Sequence, residues 1–233
     1  MESLRERKKQ QVRRTLSDAA ATLFLERGFD GVRIADVAEA AGVSQKTVYN
    51  YFATKEALIM DRLEGTADAL TTALADPAQE PVAAALALLA AELDGTLASF
   101  TAGGGGALDG YRRFGELIRS TPELRAYQSE MTGRIVAAVA GALRSRISRP
   151  EPQIDVAAQA LVSLWRVQAT SLRRHTEQPA AGDQLRSLVT GDVHAAAAVV
   201  HGAFAVLTGV SPAPARFPAA RAEPTRQERR TRR

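Results

Sequence analysis

The chain has 233 residues, no cysteine, a formal net charge of +4 and a hydrophobic fraction of 45%. Its length suits one medium domain, or a small domain plus a larger one with a substantial core, and the missing thiols exclude disulfides, thiol catalysis and cysteine-ligated zinc. The charged amino terminus, MESLRERKKQQVRR, lacks the apolar run of a secretory signal and no stretch of about 18 purely lipid-like residues follows, so a soluble, cytoplasmic protein without membrane contact is expected.

The charge is unevenly spread. Residues 1–55 hold 10 Lys/Arg and 7 Asp/Glu, residues 56–210 hold 13 and 17, and residues 211–233 hold 7 and 2. Basic ends flank an acidic, Ala- and Leu-rich middle, as expected of a small module that meets a polyanion and is attached to a larger body that does not. Arg5, Arg7, Lys8, Lys9, Arg13 and Arg14 form a basic arm that is either solvated or laid along phosphates. The arm leads into a helical pattern, Val12, Leu16, Ala19, Ala20, Leu23 and Phe24, that should end near Gly28.

Residues 34–55, IADVAEAAGVSQKTVYNYFATK, read as two short helices joined by a tight turn. Ile34, Val37, Ala38 and Ala41 recur at helical spacing, Gly42 supplies the residue that most easily turns left-handed, and Ser44 can cap the next helix. With Val43, Val48 and Phe52 inward, Gln45, Lys46, Thr47, Tyr49, Asn50 and Tyr51 are left to face outward. An outer face of amide, ammonium, hydroxyl and phenol without a carboxylate suits the major groove of DNA. Thr54 can cap a further helix, in whose first turn Lys55 sits near the positive end of the helix dipole, a place that favours a shared anion such as a DNA phosphate.

The run GFDGVRIADVAEAAGVSQKTVYNYFATKEAL, residues 28–58, resembles the amino-terminal DNA-binding domain of the TetR family of bacterial repressors. The shared motifs are G-[FY]-D, I/V-A-x-x-A-G-V-S and Y-x-[YH]-F-x-x-K-E, and the resemblance covers about residues 10–60. It implies that Gln45, Lys46, Thr47, Tyr49, Asn50 and Tyr51 face bases or phosphates and that Lys55 holds the DNA backbone. Arg33 stands where that family commonly has a capping threonine, which implies either a weaker cap or a phosphate contact by Arg33 itself.

The helix that Thr54 opens is expected to extend through Leu58 to about Ala75, stopped by Asp76-Pro77, and Pro81 should open the next one. Residues 82–100 are apolar on nearly all sides and read as buried. The stretch AGGGGALDG, 102–110, is expected to be a flexible connector, because consecutive glycines lose much backbone entropy on ordering. A short helix Tyr111–Ser120, a long one from Pro122 to about Arg146, and two long ones, Ile154 to about Arg174 and Gln184 to Thr208, complete the body. The last helix carries one stripe of Val193, Ala197, Val200, Phe204 and Leu207 and an adjacent one of Ala196, Val199, Ala203 and Val206, more apolar surface than one core can use. A second copy of the chain is the expected cover, and the family resemblance likewise implies dimerisation through the last two long helices.

The expectation is an all-α protein with a three-helix helix-turn-helix domain over residues 1–55, a larger helical ligand-binding and dimerisation domain over 56–210, and a disordered basic tail over 211–233. The implied function is a ligand-responsive repressor, not an enzyme, that binds a palindromic operator as a homodimer and is released by a small, largely apolar effector. Phe100, Tyr111, Phe114, Tyr127 and Trp165 are the candidate lining of its pocket, although in a helical body such residues are more often core. His194 and His201 share a helix face without a carboxylate at ligand spacing, so neither a metal nor another cofactor is expected. A DNA-dependent module whose body holds a macromolecule stays open as the other reading.

Overall fold

The computed structural model describes residues 4–76, 78–177 and 182–208. Among the described residues eight helices follow one another: α1 (Leu4–Arg27), α2 (Ile34–Ala40), α3 (Gln45–Tyr51), α4 (Lys55–Ala75), α5 (Pro81–Ser120), α6 (Pro122–Arg144), α7 (Glu151–Thr176) and α8 (Gly182–Thr208). No strand occurs among the described residues. The expected tail, 211–233, lies outside them.

Two apolar clusters organise the molecule. The first joins Leu16, Ala20 and Phe24 of α1, Val32, Val37, Val48, Phe52 and Leu58 to Leu124 and Met131 of α6. The second is built from α4 to α8 around Leu70, Leu89, Leu143, Leu161, Leu164, Val189 and Phe204. Helix α4 contributes to both, and Ile135 of α6 packs against both. Polar ties span the same junction: Ser17 Oγ donates to Asp61 Oδ2 at 2.7 Å and Arg113 donates to the Leu25 carbonyl. Within the body, Glu92 of α5 accepts from Thr66 Oγ1 of α4 at 2.7 Å and from Trp165 Nε1 of α7 at 3.0 Å. One carboxylate thus holds three helices.

Three expectations change. The arm is helical from Leu4, and Arg13 is occupied by an ion pair with Asp61 while its guanidinium lies 5.1 Å from the Phe52 ring centroid. The glycine stretch is no connector, since α5 runs through it from Pro81 to Ser120. Backbone helix bonds need no side chain, and the cost of about 1 kcal/mol per glycine relative to alanine is met by the packed segments on either side. That run is nonetheless bent. Residues eleven apart in a straight helix lie about 16 Å apart along the axis, a gap that two aromatic side chains close by less than half, yet the Phe100 and Tyr111 rings meet edge to face at 5.3 Å. A Cβ added at Gly103 would come within 2.7 Å of Ala107 Cβ, which places the distortion at the glycines.

The third concerns the apolar middle. Val82, Ala85, Leu89, Leu93 and Leu97 are buried, whereas Ala83, Ala87, Ala90 and Ala91 are exposed. Residues 81–103 and 182–205 are long and apolar enough to cross a membrane by length and composition. Each sets one stripe into the second core and leaves mainly alanine and polar residues outside it, the arrangement of an amphipathic helix packed on a core.

Candidate nucleic-acid interface

The turn between α2 and α3 is set by local chemistry. Gly42 has φ +66°, its N–H reaches Glu39 O at 3.1 Å, and the next N–H, Val43, reaches Ala38 O at 2.9 Å. These bonds close the end of α2 in a left-handed cap that a side chain would strain. Ala38 beneath it is 2% exposed. Helix α3 begins on Ser44, whose Oγ accepts from Thr47 N at 3.1 Å, and α4 begins on Thr54, whose hydroxyl accepts from Ala57 N at 3.3 Å.

Arg33 occupies the cap of α2 without a side-chain cap bond. Asp36 closes that end instead, accepting the Arg33 N–H on Oδ2 at 2.7 Å. A guanidinium has no acceptor with which to cap a helix, so the acidic residue three positions on does the capping and the exposed Arg33 side chain stays available to an anion.

Helix α3 buries Val48 and sets Phe52 at its end, and Gln45, Lys46, Tyr49 and Asn50 are exposed together. Thr47 and Tyr51 are half-buried. Thr47 Oγ1 lies 2.9 Å from Ser44 Oγ, so its hydroxyl helps to close the helix start. Tyr51 packs partly against the first core and lines a cleft toward α6. The four exposed side chains therefore form one polar face without a carboxylate, and Thr47 and Tyr51 sit at its edges.

Lys55 has a partner that the sequence did not reveal. Its Nζ lies 4.2 Å from the Phe29 ring centroid and 5.6 Å from that of Phe24. Ring faces carry negative charge density, which tolerates a cation at the positive end of α4 without any phosphate. The two rings are themselves 5.4 Å apart. Glycine, aromatic and lysine are a recognisable set in sequence, but only the folded turn at Gly28, φ +74°, brings them into one stack.

The five aromatics considered for a ligand pocket do not converge. Phe114 and Tyr127 belong to the first cluster, while Phe100, Tyr111 and Trp165 pack on the second. Burial pushes the Tyr111 phenol above its ordinary pKa, with Arg173 pulling the other way. Trp165 is committed to Glu92. No group of three or more His, Asp or Glu able to hold a metal is found among the described residues. Ser171 and His175 both bond Asp192, at 2.6 and 3.1 Å. Because the serine bonds the carboxylate rather than the imidazole, this is a tie between α7 and α8 and not a nucleophile with its base.

Comparison with known proteins bears on this region. Residues 16–60 match the family model described as bacterial regulatory proteins, tetR family. The HTH-type transcriptional repressor KstR2 of Rhodococcus jostii is 44% identical over 59 residues, 25% of this chain and 29% of that protein. The HTH-type transcriptional regulator YdeS of Bacillus subtilis is 43% identical over 54 residues, 23% of this chain and 27% of that protein. The chain thus spans under a third of the length of these curated relatives. A TetR-family regulator of Streptomyces coelicolor, 23% identical over 84% of this chain and 83% of its own, has a TM-score of 0.44, too low to support a conclusion. Residues 16–60 of this chain are thus similar to the bacterial regulatory proteins of the tetR family, and the likeness to the curated relatives lies in the same amino-terminal region.

Proposed function

We propose that the chain is a cytoplasmic transcriptional repressor that binds a palindromic operator as a homodimer and is released by a small, largely apolar effector. The observation that carries this reading is the exposed face of α3, where Gln45, Lys46, Tyr49 and Asn50 stand together on a helix fixed at both ends. Amides bond adenine edges bidentately and a lysine bonds guanine or phosphate. Residues 1–55 act as the reader, with Arg33, Thr47, Tyr51 and Lys55 at its margins, and residues 56–210 as the ligand-binding and dimerising body.

A second copy is supported by the uncovered apolar side chains of the last two helices: Val199 is 76% exposed, Val156 66% and Leu188 38%. Two copies related by a twofold axis would bury that surface in a self-complementary interface and set two α3 helices one DNA turn apart, about 34 Å. The same apolar surface would serve a macromolecular partner in the other reading, and sedimentation separates the two, since only the dimer forms from the chain alone.

The test is footprinting on DNA upstream of its own and neighbouring genes at two salt concentrations. A symmetric protected site whose affinity falls steeply with salt is expected. Asn50→Ala should cost about 1–3 kcal/mol and relax base preference at one position per half-site. Lys46→Ala should also reduce the salt slope. Diffuse, sequence-independent protection would overturn the repressor reading.

A further inference from the structure

Between the end of α3 and the middle of α6 lies an open cleft of about 570 Å³. Its walls are aromatic and aliphatic, with Tyr51 and Phe52 on one side and Tyr127 and Met131 on the other, and its polar groups are Arg134 and Asp68. We propose that this cleft binds a flat aromatic carboxylate carrying a hydrogen-bond donor at its far end, and that occupancy acts directly on the recognition helix. The proposal deepens the effector reading above and rests on it.

The chemistry follows from the lining. Two half-buried tyrosines, Tyr51 and Tyr127, border the cleft beside the buried Phe52 and suit a planar apolar body, and the volume falls in the range of small-molecule sites, about 300–1,000 Å³. The Arg134 guanidinium lies 5.8 Å from the Tyr127 ring centroid and pairs with Glu130 at 3.2 Å. That pair is solvent-exposed and four residues apart on one helix, so it holds the guanidinium weakly. A ligand carboxylate that offers two parallel bonds displaces it. Asp68, a carboxylate that also lines the cleft, suits the ligand's hydrogen-bond donor.

The position supplies the coupling. Tyr51 is the last residue of α3, Phe52 is its cap, and Ala57, also lining the cleft, is in the first turn of α4. The opposite wall is α6, part of the body. A molecule that spans the cleft fixes the corner between α3 and α4 relative to α6, and it shifts the reader only by its different affinity for the two arrangements.

The test uses 6-hydroxy-2-naphthoate and its neutral amide as probes on the full chain, read by titration calorimetry. The acid should bind about tenfold more tightly than the amide, Arg134→Gln should remove that difference, and Ala138→Trp, which fills the cleft from an exposed position, should abolish binding of both. Circular dichroism melting checks that both variants fold. Absence of acid binding to the unaltered chain, or binding that Ala138→Trp leaves intact, overturns the site. Operator affinity is measured separately and should fall on adding the acid, in the unaltered chain but not in Ala138→Trp. Cleft binding with unchanged operator affinity overturns the coupling, whereas the absence of any operator overturns the repressor reading and leaves the site standing.

Discussion

Within residues 28–57 the helix ends are closed by near neighbours: Asp36 reaches back to Arg33, Ser44 holds Thr47 and Thr54 holds Ala57. In the body the ties run far along the chain, from Trp165 to Glu92, from Ser171 to Asp192 and from Arg146 to the Leu74 carbonyl. The amino-terminal module is therefore specified by rules that act over three or four residues, which fix the ends of its short helices. The body is specified by packing between distant helices with scattered polar latches. The repressor proposed above would need both properties, one to read and one to respond.

That contrast can be broken most strongly at the reader's core. Phe24 is 1% exposed and supports both Phe29 and Lys55. Phe24→Ala should cost about 3–5 kcal/mol in denaturant unfolding and abolish specific DNA binding. A smaller loss of about 1–2 kcal/mol is expected for Glu92→Gln, which weakens the bonds to Thr66 and Trp165. If α4 transmits changes through this carboxylate, the variant should also alter Trp165 fluorescence while leaving the capped α3 intact.

Two glycine substitutions sharpen the comparison with opposite signs. Gly42→Ala places a side chain at φ +66° and should destabilise by about 1–2 kcal/mol. Gly106→Ala, in α5 with open space around its new Cβ, should stabilise by about 0.5–1 kcal/mol. Thermal melting of the two variants side by side distinguishes a turn that requires glycine from a helix that merely tolerates it.

The smallest effect should be a pH dependence confined to the body. Asp192 is held below the usual carboxylate range, first by the Ser171 hydrogen bond and then by His175 and Arg174. A depressed folded-state pKa gives stability that is present above the unfolded value, about 3.9, and is lost as pH falls through that value and below. Acid melting curves of the native chain should therefore lose stability below about pH 4 more steeply than those of Asp192→Asn.

The amino-terminal helices were legible because their signals are local. Gly28, Gly42, Ser44, Thr54 and the apolar spacing of α1 place the elements, and the structure puts each where the spacing predicts. The outer face of α3 was legible for the same reason, except that Thr47 and Tyr51 turn out half-buried. Arg33 and Lys55 were harder. Their surroundings depend on Asp36 capping backward and on two phenylalanines brought together across a turn.

For the body, hydrophobic periodicity located the helices within a few residues but not their neighbours. The glycine run argues locally against helix, and only the packed segments on both sides make one bent helix of it. Aromatic side chains gave no sign of which core would claim them, so the cleft beside Tyr51, Tyr127 and Arg134 emerges only once α3, α4 and α6 are brought together. Sequence alone determined the capped reader, because caps and turns are decided by residues within reach of one another. Tertiary structure decided the bend of α5, the stack over Lys55 and the junction cleft, because each depends on surfaces far apart in the chain being buried at the same place.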